Sequence, residues 1–384
     1  MADIAPPAAV AQPRPGLHDL ALRLAGSRRF QALCARIPGL RAIARAEGAA
    51  LFDLMQGFVQ SQMLLALVEL DVFETLAPGP LGLDALAARA KVPPARMRVL
   101  VQAGVAMGLL RRARGGYGLA RRGAAFRAVP GLAEMVRHHR VLYADLADPV
   151  AVLRGETSPE LARFWPYVFG AEGARAPDVA ARYSRLMADS QALVAEDALP
   201  HLPLRGARCL MDVGGGTGAF LRAVRARAPH LDLALFDLPA VVAEAPLPAH
   251  VARHAGSFRD DPLPACADLI TLVRVLYDHS DDTVAALLRK VHAALPPGGK
   301  LAVIEPMSGG ARPDPQTDVY FSVYTLAMET GRTRSANEIT ALLRAAGFDA
   351  ITGPYGYRPY VTSVLLARKP QEGAMGAEKS VNKG

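Results

Sequence analysis

Met211-Asp212-Val213-Gly214-Gly215-Gly216-Thr217-Gly218-Ala219-Phe220 is the stretch that decides the fold. The apolar run from Cys209 to Val213 reads as a buried strand. A glycine-dense turn follows. Beyond it Phe220, Leu221 and Val224 alternate with Arg222, Arg225 and Arg227 in a helical pattern that stops near Pro229. Glycine lets backbone approach a ligand closely and accepts positive φ, and a helix N-terminus offers free N–H donors. Strand, turn and helix together therefore predict a nucleotide-like binding pocket.

Two ligand classes use such a turn. Gly214-x-Gly216-x-x-Ala219 fits the dinucleotide pattern loosely. Asp212-x-Gly214-x-Gly216-x-Gly218 fits in full the acid-x-G-x-G-x-G pattern of S-adenosylmethionine (SAM) sites. A nicotinamide dehydrogenase remains an alternative on this motif alone.

Outward from the turn, strands and helices alternate, which predicts a parallel sheet covered by helices on both faces. Leu231 to Phe236 is a second strand, ending at Asp237-Leu238-Pro239. An acidic side chain about twenty residues after the turn can accept both ribose hydroxyls. Val251 to Ala255 leads into Gly256-Ser257-Phe258, and Asp268 to Leu276 into Tyr277-Asp278-His279. A helix over Asp281 to Leu295 precedes a strand over Lys300 to Ile304 that ends at Glu305. The helix Ser335 to Ala346 and strands near 350–357 and 360–367 complete the unit. Ligands gather at the carboxyl ends of such strands, which puts Asp212, Asp237, Ser257, Tyr277, Asp278, His279 and Glu305 on one rim.

Upstream, residues 1–16 and the tail 371–384 read as disordered. Leu17 to Arg45 is a basic amphipathic arm, broken at Pro38-Gly39, that suits either an anionic membrane surface or a protein partner. Ala49 to Leu70 is a helix apolar on too many sides to stand alone, implying a dimer interface or a large core. Leu83 to Ala90, Val92-Pro93-Pro94 and Pro94 to Gly108 form a helix-turn-helix, followed by a hairpin wing over Leu109 to Leu119. A DNA reader carries polar base-reading side chains on the second helix, whereas Ala95, Arg96, Arg98, Gln102 and Ala103 offer little beyond two arginines. The expected organisation is an arm (1–45), a helical winged-helix-like domain (46–200), a ligand-binding domain (201–370) and a tail. An aromatic cluster from Phe164 to Phe169, with Tyr183, Met187, Tyr320, Phe321, Tyr324 and Met328, is a candidate apolar pocket wall. His138 and His139 could reach the acceptor pocket from the helical domain but read first as a surface pair.

The bulk numbers agree. The 384 residues, 51% hydrophobic, suffice for two domains. Cys34, Cys209 and Cys266 are too scattered for a metal or disulfide framework, so a reduced cytoplasmic protein without metal is expected. No run of about 18 apolar residues predicts a membrane span, and no secretory signal is read at the start. The net charge of +8 comes mostly from scattered arginines, so nucleic acid is not an expected partner.

The whole set resembles the SAM-dependent O-methyltransferases of the plant and bacterial small-molecule type, over roughly Ala49 to Arg368. The first motif is Asp212 to Gly218, the ribose motif Phe236-Asp237-Leu238-Pro239, and the adenine-reading stretch Gly256-Ser257-Phe258. Arg274-Val275-Leu276-Tyr277-Asp278-His279 matches the catalytic stretch, and Leu295 to Lys300 with Gly347-Phe348 complete the series. The resemblance implies SAM as cofactor, held by Asp212, Gly214, Gly216, Gly218, Asp237, Leu238, Ser257, Phe258 and Arg274. It implies a homodimer built on the winged-helix portion. Leu51-Phe52-Asp53-Leu54, Gly57 to Gln62 and Val275 to His279 are most similar to the acyclic-carotenoid branch, which methylates a tertiary hydroxyl. A C-methyltransferase acting on bacteriochlorophyllide is a rival of the same fold.

The sequence departs from the family where chemistry is expected. Tyr277 stands where the family has its histidine base, Ser257 where an acid is usual, and Thr333 near a second flanking glutamate. Tyr277 is a poor base at pH 7 but a good hydrogen-bond partner. The expected roles are therefore Tyr277 orienting the acceptor hydroxyl, His279 or Asp278 taking its proton, and Glu305 fixing local geometry.

Overall fold

The computed structural model describes residues 17–164 and 190–371. The expected disorder of residues 1–16, and of the tail beyond 371, falls outside them. So do Trp165 to Phe169, Tyr183 and Met187 of the aromatic cluster.

The glycine turn sits at the centre of a seven-stranded sheet ordered β5-β4-β3-β6-β7-β9-β8. Its strands are β3 Cys209–Val213, β4 Asp232–Asp237, β5 Ala252–Ala255, β6 Leu269–Val273, β7 Lys300–Glu305, β8 Asp349–Tyr355 and β9 Ser363–Arg368. β3 to β7 pair in parallel, and β9 enters antiparallel between β7 and β8. The strand order reverses at β3, flanked by β4 and β6, and that reversal opens a crevice at the carboxyl edge.

Strand alternation divides the core into two layers. Met211 and Val213 face Leu287, Leu288 and Val291 of the helix Asp281–Ala294. Leu210, Leu233 and Leu235 face Phe220, Leu221 and Val224 of the helix Ala219–Arg227. All five residues of β6, Leu-Ile-Thr-Leu-Val, are buried, as a central parallel strand requires. β6 ends at Val273, three residues short of the sequence reading, because Leu276–Asp278 winds into a 3-10 turn.

The helix Asp281–Ala294 is capped by Ser280, whose side chain accepts from the Thr283 N–H, with Asp281 and Asp282 in its first turn. Asp278 is thereby freed of any capping duty. Ser335 and Glu338 form a reciprocal capping box on the helix Ala336–Ala345.

The N-terminal part is helical: α1 Leu17–Ala25, α2 Arg28–Cys34, α3 Pro38–Glu69, α4 Val72–Thr75, α5 Leu83–Ala90 and α6 Pro94–Ala106. The hairpin β1 Leu110–Ala113 and β2 Gly116–Leu119 follows, then α7 Arg121–Ala128, α8 Leu132–Asp145 and α9 Pro149–Arg154. Met97, Leu100 and Val101 of α6 pack with Leu67, Val68 and Phe73. The arm breaks where the sequence reading put it: α2 ends at Cys34 and Pro38 opens the 32-residue α3, because proline at the first position gives up an N–H that has no helical partner anyway. α3 is longer than the expected Ala49 to Leu70 and takes in the end of the arm.

Contrary to expectation, α3 is long and apolar enough to cross a membrane by length and composition. Its C-terminal residues Leu65, Leu67 and Val68 are buried in the domain core. Further up, Leu51, Leu54 and Phe58 are 67%, 80% and 71% exposed, an apolar face awaiting a partner.

Candidate active site

The cofactor end of the crevice is built mostly from backbone. Gly214, Gly216 and Gly218 all have positive φ, +72°, +57° and +72°. A Cβ on Gly214 would stand 2.9 Å from Val275, so the turn after β3 presses on the turn after β6. At Gly216 nothing lies within 4 Å of that position, which leaves the backbone open to a ligand.

Asp237, at the end of β4, reaches across to this turn. Its Oδ2 accepts from the Gly216 N–H at 2.8 Å and its Oδ1 from the Leu238 N–H at 2.7 Å. Burial holds its pKa above the usual carboxylate range, against the pull of those bonds. Asp212 lies beneath the turn, where Oδ1 accepts from the Thr271 hydroxyl at 2.7 Å. Its Oδ2 is buried without a partner among the described residues, and burial pushes the group up to about 7. A positive-φ cradle with two carboxyl side chains suits a cationic nucleoside.

Ser257 and Phe258 follow β5 on the next loop. Ser257 donates its N–H to Asp261 at 2.8 Å, and its hydroxyl accepts from the Arg259 N–H. Lys290 fixes the loop by donating to the carbonyls of Phe258, Arg259 and Asp261 at 3.0, 2.8 and 2.9 Å. The sequence reading missed Lys290, which lies on the helix behind the loop. The Phe258 ring meets His279 edge-on, with centroids 5.2 Å apart.

The acceptor end is built from side chains on one turn. Glu305, at the end of β7, accepts on Oε1 from the N–H groups of Val275 and Leu276 at 2.8 and 2.7 Å. Burial raises its pKa to about 7. Tyr277 and Asp278 are buried beside it. Burial, then the neighbouring Asp278, lifts Tyr277 well above 10, so it is a neutral phenol. Burial, then Glu305, lifts Asp278 well above the usual carboxylate range, and its Oδ1 has no partner among the described residues.

His279 is turned differently. Its Nδ1 lies 3.1 Å from the Arg259 guanidinium, which occupies the lone pair there. Burial, then Arg259 and Arg334, lower it to about 4. Arg274, at φ +54°, donates to Ser190 and to the Val361 carbonyl and makes no hydrogen bond to the glycine turn.

Arg334 is the largest omission from the sequence reading. Its guanidinium is buried and donates to the carbonyls of Leu276 and His279 at 2.7 and 2.8 Å and to Asp281 at 2.7 Å. A Cβ on Gly331 would collide with the Tyr277 carbonyl, so glycine alone admits this approach. Gly331-x-x-Arg334, directly before the Ser335 capping box, was the available signal. Thr333 is buried with its hydroxyl unpartnered among the described residues.

His138 and His139 are not a surface pair. Their Nε2 atoms meet the hydroxyls of Tyr324 and Tyr320 at 2.9 and 2.7 Å, both partly buried. Tyr324 and Met328 are buried with Leu142 and Leu161.

The O-methyltransferase domain family matches residues 143–349, more than half of the chain, and an O-methyltransferase dimerisation domain matches residues 52–128. The chain belongs to the O-methyltransferase family. Demethylspheroidene O-methyltransferase of Cereibacter sphaeroides is 58% identical to this methyltransferase, covering 93% of the chain and 96% of that protein. The Rhodobacter capsulatus protein of the same name is 53% identical over 93% and 91%. Among solved structures, human N-acetylserotonin methyltransferase in complex with SAM superposes with a TM-score of 0.72 at 27% identity, covering 85% of the chain and 98% of that one. The winged-helix portion of this methyltransferase is thus a dimerisation domain, and the exposed Leu54 and Phe58 of α3 lie within its bounds.

Proposed function

We propose that this methyltransferase transfers a methyl group from SAM to the tertiary C-1 hydroxyl of an acyclic carotenoid. The observation that carries the reading is 58% identity over 93% of the chain to a demethylspheroidene O-methyltransferase. Tyr277 in place of the family's histidine supports it. A phenol, with a pKa near 10, is within reach of a histidine base. A tertiary alcohol is far less acidic, so no side chain deprotonates it in advance, and the proton leaves as the new bond forms.

SAM, when bound, supplies a methyl on a cationic sulfur. Asp237 and Leu238 would hold the ribose, and Ser257 and Phe258 the adenine. Gly214, Gly216 and Gly218 give the backbone approach, and Asp212 supplies negative charge beneath them. Arg274, drawn toward Ser190, takes a supporting part. At the other end Glu305 fixes the turn through Val275 and Leu276. Tyr277 orients the hydroxyl, and Asp278 takes its proton at the unpartnered Oδ1. With a cationic cofactor bound, Asp278 would lose its own proton to solvent before the site closes, and its carboxylate could then accept the proton of the hydroxyl. His279, tied to Arg259, positions the adenine loop. Alignment of these groups and exclusion of water supply most of the acceleration.

The rest of the organisation follows the same reading: an arm over residues 1–45, dimerisation through 46–200, catalysis in 201–370, in the cytoplasm. The arm exposes Leu20, Leu22, Leu24, Leu33, Ile37, Leu40 and Ile43 among arginines, a composition suited to an anionic membrane, where an apolar acceptor dissolves. Removing residues 1–37 is expected to weaken binding to anionic liposomes without changing SAM affinity; unchanged liposome binding contradicts the membrane contact.

Incubation with labelled SAM and a pigment extract tests the acceptor. Label in a methoxylated acyclic carotenoid is expected. Label in a bacteriochlorophyllide or a phenol instead overturns the assignment.

A further inference from the structure

We propose that His138 turns the Tyr324 hydroxyl into a hydrogen-bond acceptor for the substrate's alcohol, so that the site holds the alcohol and lets go of the methyl ether. The inference rests on the alcohol-methylating reading above and adds a positioning residue from the dimerisation side of the molecule.

The geometry starts with two helices. Tyr320 and Tyr324 are four residues apart and share a face, their rings stacked with centroids 5.9 Å apart. α8 presents His138 and His139 to them, giving Nε2-to-hydroxyl distances of 2.9 and 2.7 Å. Tyr320 has a second neighbour, the Met135 sulfur at 4.0 Å, so its hydroxyl direction is shared. The Tyr324 hydroxyl meets His138.

The segment that carries Tyr324 packs on the acceptor end: Gly331, seven residues on, lies against the Tyr277 carbonyl and the Asp278 backbone. Asp278 and Arg274 act on the charge of Tyr324, and Tyr324 acts in turn on Tyr277. Val275, two residues before Tyr277, is the side chain that presses on Gly214 of the cofactor turn. Glycine turn, Val275, Tyr277 with Asp278, Tyr324 and His138 thus form one connected line across the site.

The direction of the hydrogen bond follows from the two partners. Burial and the adjacent His139 lower His138 to about 4, so it is a neutral imidazole in which one ring nitrogen carries no proton. A phenol is the stronger donor and an imidazole nitrogen the stronger acceptor, so the hydroxyl donates to Nε2. Its proton committed, the Tyr324 oxygen offers only lone pairs. An alcohol can donate to them in the resting complex and passes that same proton to Asp278 only as the new carbon–oxygen bond forms, whereas a methyl ether has no hydrogen to give.

The test measures equilibrium binding of two probes to the full-length protein: an acyclic carotenoid tertiary alcohol and its methyl ether, in the same detergent. The wild type is expected to bind the alcohol about tenfold more tightly than the ether, the worth of one net hydrogen bond. In His138→Leu the Tyr324 proton is released and can donate to the ether, so the ratio falls to within about twofold of unity. His138→Gln, whose amide oxygen accepts from the same hydroxyl, restores the preference, which a merely structural role would not produce. Tyr324→Phe abolishes the preference and carries the test if His138→Leu fails to fold. An alcohol-to-ether ratio unchanged in Tyr324→Phe or in folded His138→Leu overturns the inference, as does a wild type that binds both probes equally. Methylation of the alcohol by the same wild-type preparation separates the two readings. Methylation with an unchanged ratio sinks only the role of His138, and no methylation sinks the assigned acceptor.

Discussion

The two ends of the site are made of different material. The cofactor end is backbone: three positive-φ glycines and a carboxylate bonded to main-chain N–H groups. The acceptor end is side chains, with Tyr277, Asp278 and Glu305 packed on one turn that Arg334 ties down from another segment. Backbone geometry is set locally and changes little when side chains are replaced, so one cradle can serve many acceptors. Side-chain pockets change one residue at a time. The proposed roles put chemical identity at the acceptor end and cofactor affinity at the other.

Substitutions at each end sharpen that division. Asp278→Asn is expected to lower kcat by about 100-fold or more, the usual weight of a general base, and to leave the SAM dissociation constant within about twofold. Stopped-time assays with calorimetry read both values, and a loss confined to SAM affinity breaks the division. Arg334→Met leaves two buried carbonyls without donors and is expected to cost roughly 2–5 kcal/mol in urea unfolding. An unchanged midpoint means that the turn holds without its tie. Asp237→Asn is expected to weaken SAM binding about tenfold to 100-fold while kcat at saturating SAM stays within about threefold, since a charged acceptor is worth roughly twice a neutral one.

The smallest effect is that of pH. Asp212 and Glu305 are raised from 3.8 and 4.5 to about 7, so both ionise in the folded protein near neutrality. A carboxyl raised on folding binds more protons in the folded state, so its contribution to stability is full below about pH 4 and is lost as pH rises through 7. The ionised forms attract a cation. SAM affinity is therefore expected to increase between pH 6 and 8, by less than about tenfold per carboxyl per pH unit, while the melting temperature of the cofactor-free protein declines. Calorimetry across that range checks the sign; affinity that falls with pH would remove Asp212 and Glu305 from the cation's surroundings.

The same contrast explains what was legible in the sequence. The glycine turn, Asp237 and the alternation of strands and helices are written in contiguous residues, and the parallel sheet follows from them. The winged-helix shape was equally plain in its two short helices and hairpin, while its role in dimerisation was implied only by the family resemblance. What escaped depends on partners far apart in the chain. Arg334 grips a carbonyl 58 residues away, Lys290 one 32 residues away, and His138 a hydroxyl 186 residues away. No local pattern encodes such pairings, and an adjacent histidine pair on a helix looks like a solvated face until its partners are seen. The end of β6 was misread for a similar reason. Val275 and Leu276 are apolar enough to extend a strand, but Glu305 draws their N–H groups into a turn.

Single-turnover reaction with methyl-13C SAM and one purified acyclic carotenoid tertiary alcohol tests the central claim most directly, with the product read by carbon NMR. Stoichiometric appearance of the label in a methoxy group on C-1 is the expected result. Label bound to carbon, or an inert alcohol alongside a readily methylated phenol, would contradict it.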